Sequence, residues 1–200
     1  MTPGDATALA ARFPPACAAD PGRRIAWLDT PLGGMVAAAD DALRLLEFHD
    51  RPELAAELAR LGALAQGDNP VIAALRQQLA RYFIDPAAGF DLPLAPQGTA
   101  FQERVWQALR AIPAGRTLSY AGLAARIDQP RAIRAVGRAN GANRIALVIP
   151  CHRIVGSDGA LTGYAGGLWR KQALLRHESD RFSVQASLTG LLGLPPFEKA

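Results

Sequence analysis

The stretch Ile145-Ala146-Leu147-Val148-Ile149-Pro150-Cys151-His152-Arg153 joins an unbroken apolar run to a thiol, an imidazole and a guanidinium. Five apolar residues are too few for a helix and fit a strand that is buried on both faces. Pro150 ends that strand, because proline cannot donate to a sheet ladder. We therefore predict a buried strand over Ile145–Ile149, with Cys151 at the bend that follows it.

Cys151 is the candidate nucleophile of the chain. The thiolate is the reactive form of cysteine, and a free thiol with a pKa near ~8.5 needs a neighbouring base or cation at neutral pH. His152 can be that base, and a carboxylate such as Glu178 can hold its imidazole in one tautomer. The alternative is a small, inert buried cysteine beside a histidine that is hydrogen-bonded for structure.

A basic helix is predicted to begin at Gln129-Pro130 and to run to about Asn140. Arg131, Arg134 and Arg138 have the spacing i, i+3, i+7 and would share one face of it. The segment also carries small residues that let a backbone approach another surface, namely Ala132, Ala135, Gly137 and Ala139. A short helix capped by Ser119 precedes it, and the pair fits a helix-turn-helix. The alternative is a solvated arginine face with the small residues packed on the core.

Around these two features the pattern predicts an α+β protein. Apolar segments and turns between residues 25 and 48 predict three strands, the first two joined at Thr30-Pro31-Leu32-Gly33-Gly34. Helices are predicted over residues 53–64 and from Asn69-Pro70 to about Phe83. Thr99 and Gln102 form a capping box before a third helix. A last helix is predicted over Leu168–Glu178.

A segment rich in proline and glycine, from Asp85-Pro86 to Pro96, is the predicted linker. The expected organisation is a flexible lead-in over residues 1–22, an N-terminal domain over 23–92, a C-terminal domain over 93–181 and an extension of unknown role over 182–200. Net charge changes sign across the linker. Residues 1–93 carry 8 Arg and Lys against 12 Asp and Glu, whereas residues 94–181 carry 13 against 5. A basic half beside an acidic one suggests a face that meets a polyanion, although many basic domains bind no nucleic acid.

Composition excludes several other classes of protein. The two cysteines, Cys17 and Cys151, are too few for a disulfide framework, and with three histidines they form no zinc motif. We therefore expect no metal. No apolar run approaches the ~20 residues of a membrane span, and the N-terminus lacks the pattern of a secretory signal. The expectation is a soluble, cytoplasmic protein.

Taken together, these residues resemble the O6-alkylguanine-DNA alkyltransferases, above all the single-function bacterial members. The resemblance runs from about Leu92 to Arg181. Its blocks are Gly98-Thr99-Ala100-Phe101-Gln102, Val105-Trp106, Ser119-Tyr120, Arg134-Ala135-Val136-Gly137, Ala139-Asn140-Gly141-Ala142-Asn143, Ile149-Pro150-Cys151-His152-Arg153-Ile154-Val155, Thr162-Gly163-Tyr164-Ala165-Gly166-Gly167 and Leu174-Leu175-Arg176-His177-Glu178. In the N-terminal half it is thinner, mainly Thr30-Pro31-Leu32-Gly33.

The resemblance implies a DNA-repair enzyme that moves an alkyl group from guanine O6 onto Cys151, once per molecule and without a cofactor. O4-alkylthymine is a second candidate substrate. His152, through water, would take the thiol proton, and Glu178 would orient His152. Asn143 would brace the turn before the active-site segment. Tyr120 would donate a proton or hydrogen bond to N3 of the leaving guanine.

The resemblance also implies how the base is held. The main-chain carbonyls of Cys151 and Ile154 would accept from the guanine amino group. The amide of Ala165 would face O6, and the flanking Tyr164 and Gly166 would complete the substrate site.

Double-stranded DNA is the partner that the resemblance implies, bound through the minor groove by a monomer. Arg134 would enter the duplex and fill the gap left by a flipped base, since a stacked guanine hides its O6 substituent. The other implied DNA-binding residues are Arg131, Arg138, Ala135, Gly137 and Ser119. The implied fold is a small antiparallel N-terminal sheet with helices, ribonuclease H-like, and a winged helix-turn-helix-like C-terminal domain that carries the active site.

Two competing hypotheses stay open from the sequence. One is a non-catalytic, lesion-recognising DNA binder of the alkyltransferase-like type, although those proteins lack the reactive cysteine. The other is a cysteine hydrolase that uses Cys151, His152 and Glu178, although adjacent Cys and His are atypical of that class and the basic helix would be unexplained.

Overall fold

The computed structural model describes residues 22–186, with side chains up to residue 179. The predicted lead-in (apart from Gly22), Cys17 and residues 187–200 lie outside this range. The described chain divides into two compact units, one formed by residues 22–81, 90–97 and 144–146 and the other by the rest. Because the units interleave along the chain, no single cut separates them, and the ranges 23–92 and 93–181 stay a prediction.

The first unit is a four-stranded sheet with two helices. Strands β1, β2 and β3 form an antiparallel meander, and β4 joins β1 in parallel, so the order is β3-β2-β1-β4. The elements are β1 (Arg24–Leu28), β2 (Met35–Ala39), β3 (Leu43–Phe48), α1 (Leu54–Arg60), β4 (Ala65–Gln66) and α2 (Pro70–Ile84), the last turn of which belongs to the second unit. The three predicted strands and both predicted helices are confirmed, although α1 ends at Arg60 and not at residue 64. The expectation of a purely antiparallel sheet is wrong, because the chain after α1 adds β4 in parallel to β1.

One face of this sheet packs on α1. Its core cluster consists of Ile25, Val36, Ala38, Leu45, Leu54, Leu58, Leu61 and Leu64. On the outer edge, the amide and carbonyl of Leu46 pair with Arg144 O and Ala146 N, both at 2.8 Å. The segment 144–146 is therefore fixed to β3 by main-chain hydrogen bonds.

The second unit is mainly helical. It contains α3 (Ala100–Arg110), β5 (Leu118–Ser119), α4 (Tyr120–Arg126), α5 (Ile133–Gly141), β6 (Ile154–Val155) and α6 (Leu168–Ala186), with short 3-10 helices at Pro86–Ala88 and Cys151–Arg153. Strands β5 and β6 pair in parallel. The indole of Trp106 donates to Ala139 O at 2.9 Å and joins α3 to α5. With the sheet of the first unit, these elements confirm an α+β protein.

The predicted strand over Ile145–Ile149 is wrong. Ile145 forms an isolated bridge with Leu46, and the residues after it form a turn in which Leu147 has φ of 67°. All five residues are buried. A continuous apolar run reports burial but not backbone conformation, which is why the pattern could not distinguish this compact turn from a strand.

The predicted start of the basic helix is also wrong. Gln129 O accepts from Ala132 N at 2.8 Å, so Gln129-Pro130 opens a tight turn. Helix α5 begins only at Ile133. Arg131 therefore lies in the turn and does not share a helix face with Arg134 and Arg138. At the other end of the unit, α6 runs beyond Glu178 to Ala186, since neither glycine nor proline stops it.

Within residues 22–186, none of the helices combines the length and apolar character needed to cross a membrane.

The capping box of α3 generates a stability prediction. The Thr99 hydroxyl accepts from Gln102 N at 3.3 Å, and the Gln102 side chain accepts from Thr99 N at 2.8 Å. We expect Thr99→Ala to lower the free energy of unfolding by about 1 kcal/mol, measured by urea denaturation. Thr117→Ala, at an exposed position before β5, is the control. Equal small losses in both variants would contradict a capping role.

Candidate active site

Cys151 begins a 3-10 helix directly after Pro150 and is 8% exposed. Its Sγ accepts from Asn143 Nδ2 at 3.2 Å, and the same amide donates to Ile149 O at 2.8 Å. Asn143 is itself buried just past the end of α5. One side-chain amide thus holds the turn and directs an N–H at the sulfur, where it would stabilise a thiolate.

His152 is fully buried, and its Nε2 lies 2.9 Å from Glu178 Oε1. Burial alone would raise the pKa of Glu178, but the hydrogen bonds of His152 and Arg153 and the positive charge of Arg153 outweigh it and hold this pKa well below its ordinary value. An ionised carboxylate can only accept, so Nε2 carries the ring hydrogen. Burial lowers the pKa of His152, against the opposing effect of Glu178, so the ring is neutral at pH 7.

The other ring nitrogen, Nδ1, is therefore the unprotonated one. It is buried, and no hydrogen-bond partner reaches it among the described residues. A neutral imidazole with a bare Nδ1 is a proton acceptor, and His152 directly follows Cys151 in the sequence. The pair combines a nucleophile with a base of fixed tautomer.

Glu178 is the centre of a larger network that sequence reasoning missed in part. Its carboxylate also accepts from the Tyr82 hydroxyl at 2.8 Å, from Gly115 N at 3.1 Å, and from Arg153 Nε and Nη2 at 2.9 and 2.7 Å. Arg153 Nη1 donates further to Ile112 O at 2.5 Å. Burial and the charge of Glu178 raise the pKa of Tyr82, which keeps its hydroxyl a donor.

Besides Cys151, the predicted substrate residues lie on α4, on β6 and in the loop that precedes α6. Tyr120 is the first residue of α4, and Ile154 is buried at the start of β6. Ile154 N donates to Cys151 O. The Tyr164 ring meets the His152 ring edge-on at 6.5 Å between centroids. Ala165 is exposed and Gly166 is buried in the loop that follows.

The predicted DNA-binding residues fall into three environments. Arg134 and Arg138 are exposed on α5, and Arg131 is exposed in the turn before it. Ala135 and Gly137 are half-buried, and a Cβ on Gly137 would lie 3.7 Å from the Tyr120 ring. The Ser119 hydroxyl accepts from Gly122 N at 3.0 Å and so caps α4.

A metal centre has no support in the described part of the chain, where no group of three or more His, Cys, Asp or Glu side chains is placed to hold an ion.

The Glu178 network predicts how stability depends on pH. Its pKa is lowered in the folded state, so its stabilisation is present above the ordinary value of 4.5 and is lost as pH falls below it. We expect Glu178→Gln to lower the free energy of unfolding at pH 7 by about 3 kcal/mol, because Arg153 loses a buried counterion. The deficit should shrink below pH 4.5. Denaturation with urea across this pH range measures both.

Glu103→Gln, at an exposed position on α3, is the matched control and should change stability little at any pH. A Glu178→Gln deficit that stays constant from pH 7 to acid would contradict the low pKa of the carboxylate.

Comparison with known proteins shows the family to which the chain belongs. Residues 100–180 match the family model of the 6-O-methylguanine DNA methyltransferase, DNA binding domain. The methylated-DNA–protein-cysteine methyltransferase of Salmonella typhimurium is 46% identical over 159 residues, which cover 74% of this chain and 91% of that protein. The protein of the same name from Mycolicibacterium paratuberculosis is 45% identical over 164 residues, 81% of this chain and 94% of that one.

Among solved structures, that of Mycobacterium tuberculosis OGT in complex with DNA matches with a TM-score of 0.69 and 39% identity, covering 80% of this chain and 93% of that one. The sequence identity and the similarity of fold each extend over more than nine-tenths of these relatives. The chain belongs to the methylated-DNA–protein-cysteine methyltransferase family.

Proposed function

We propose that this protein repairs DNA by direct reversal, transferring the alkyl group of O6-alkylguanine in double-stranded DNA irreversibly to Cys151. The observation that carries the proposal is the buried set of Cys151, His152, Glu178 and Asn143, in a chain that belongs to this family. O4-alkylthymine is a further candidate substrate. The reaction consumes the protein, needs no cofactor and is carried out by a monomer in the cytoplasm.

The chemistry is a displacement at the alkyl carbon. His152 Nδ1 takes the thiol proton, through a water molecule, and the Asn143 amide stabilises the resulting thiolate. Sulfur attacks, the C–S bond forms and the C–O6 bond breaks, with its electron pair passing to guanine. Tyr120 donates to N3 of that leaving base. The thioether product has no ready hydrolysis route, so each molecule reacts once.

Recognition of the base uses main-chain groups of the active-site segment. The carbonyls of Cys151 and Ile154 accept from the guanine amino group, which adenine lacks. The Ala165 amide faces O6, with Tyr164 and Gly166 completing the pocket. Support comes from the placement of Ile154 directly after the Cys151 helix and from the packing of Tyr164 beside His152.

Helices α4 and α5 act as the helix-turn-helix of a winged DNA-binding domain, and the first unit corresponds to a ribonuclease H-like domain. Arg134 enters the duplex through the minor groove and occupies the space of the flipped base. Arg131, Arg138 and Ser119 contact the backbone, and the small Ala135 and Gly137 permit close approach. The exposure of Arg134 and Arg138 on one helix supports this docking, as does the relative solved with DNA.

The non-catalytic alternative is disfavoured because Cys151 is present with its base and its hydrogen-bond donor. The hydrolase alternative differs in stoichiometry, since a hydrolase would turn over many times and leave no alkyl group on the protein.

Intact mass spectrometry tests the proposal. With a duplex carrying one O6-methylguanine, we expect a mass gain of one methylene, mapped to the Cys151 peptide and saturating at one per protein. Cys151→Ser should bind the duplex but gain no mass, because a serine hydroxyl is a far poorer nucleophile. Tight, lesion-selective binding without any mass gain in the wild type would instead indicate a non-catalytic reader.

Base flipping predicts a difference between substrates. We expect Arg134→Ala to slow alkyl transfer from duplex DNA much more than reaction with free O6-benzylguanine, because the free base needs no extrusion from a stack. Arg126→Ala, at an exposed position at the end of α4, is the charge-matched control. Single-turnover rates with the two substrates give the comparison, and equal slowing with both would argue against a flipping role.

A further inference from the structure

The loop of residues 161–167 is fastened to α6 by two buried cationic side chains. Lys171 is fully buried, and its Nζ donates to Thr162 O at 2.6 Å. Arg170 is 4% exposed, and its Nη1 donates to Gly166 O at 2.9 Å. Burying an ammonium group is costly unless it is hydrogen-bonded. Two buried cations bonded to main-chain carbonyls therefore fix the loop at both of its ends.

Thr162 contacts both Lys171 of α6 and Tyr120 of α4. Its carbonyl accepts from Lys171, and its side-chain hydroxyl lies 3.4 Å from Tyr120 Oη, where either hydroxyl can donate to the other. The Tyr120 ring lies against Gly137 of α5 at van der Waals distance. The ring is thus placed by helix packing, whereas its hydroxyl is reached by the loop.

The direction in which Thr162 donates is the one that suits the proposed step, because Tyr120 must give its own hydrogen to the leaving base. A phenol oxygen that accepts from Thr162 points its own hydrogen elsewhere, so Tyr120 stays available as a donor. The accepted bond also stabilises the negative charge that grows on the phenol oxygen when its hydrogen is given up. Both effects favour donation to a leaving base.

We propose that Thr162 is a positioning residue that orients the Tyr120 hydroxyl for donation to the leaving guanine. This inference rests on the proposed function, since it assigns Thr162 a part in the same transfer. In that step the C–S bond forms, the C–O6 bond breaks, and the base that receives the electron pair accepts the Tyr120 hydrogen at N3. Thr162 touches neither the sulfur nor the alkyl carbon in this step and acts through Tyr120.

A double-mutant cycle tests the inference. Thr162→Val removes the hydroxyl but keeps the side-chain shape and the carbonyl that Lys171 binds, and the exposed position tolerates it. With a saturating O6-methylguanine duplex, we expect the single-turnover rate of Cys151 methylation to fall about 3- to 10-fold, the size of one neutral hydrogen bond. In the Tyr120→Phe background the same change should have no effect, because the accepting oxygen is gone.

Two further variants complete the experiment. Thr162→Ser restores a hydroxyl and should recover most of the rate, whereas Thr117→Val, at another exposed threonine, should leave the rate unchanged. DNA affinity should be the same in Thr162→Val and wild type. Equal slowing by Thr162→Val with and without the Tyr120 hydroxyl, or a loss explained by weaker DNA binding, would overturn the inference.

The experiment separates failure of the positioning role of Thr162 from failure of the proposed alkyl transfer. If the wild type is methylated at Cys151 but Thr162→Val slows the reaction equally with and without the Tyr120 hydroxyl, only the positioning role is rejected. Absence of methylation in the wild type rejects the proposed function and, with it, this inference.

Discussion

The buried carboxylate of Glu178 accepts hydrogen bonds from the side chains of Tyr82, His152 and Arg153 and from the amide of Gly115. These donors come from three separate segments of the second unit and Glu178 from a fourth, so one ionised group ties that unit together. They also keep the carboxylate ionised against the cost of burial. Because an ionised carboxylate only accepts, the hydrogen of His152 is confined to Nε2 and Nδ1 is left bare. In the proposed reaction, the activation of Cys151 therefore depends on a structural contact on the opposite side of the imidazole ring.

The apolar segment before Cys151 forms a compact turn, and this conformation allows Asn143 to contact both the turn and the sulfur. A strand would use its main-chain groups in a ladder, whereas here Ile149 O accepts from the Asn143 amide, which also reaches Cys151 Sγ. The short helix that follows places Cys151, His152 and Arg153 in consecutive buried positions. The proposed nucleophile, its proposed base and the counterion of Glu178 thus come from three adjacent residues.

Features with a local cause were predictable from the sequence. The capping residues Thr99 and Ser119 were found because a cap needs only its own first turn, and both are confirmed. The set Cys151, His152 and Glu178 is predicted from the residues around Cys151 and again from the family resemblance. The structure places His152 Nε2 in contact with Glu178 and Cys151 beside His152, and the roles of the three residues are proposals. The contact between Tyr82 and Glu178 was not found, since it joins residues 96 positions apart. Lys171 was also missed: it and Glu178 occupy the buried face of α6, where periodicity analysis looks for apolar side chains.

Nitrogen-15 NMR of the histidine ring reports the tautomer and the charge of His152, on which the proposed activation of Cys151 depends. With ring-labelled protein at pH 7, the signals of His152 are assigned against a His152→Gln variant. We expect a neutral ring with its hydrogen on Nε2 and a bare Nδ1. A hydrogen on Nδ1, or a charged imidazolium at this pH, would contradict it, because neither form leaves a nitrogen able to take the thiol proton while Nε2 donates to Glu178.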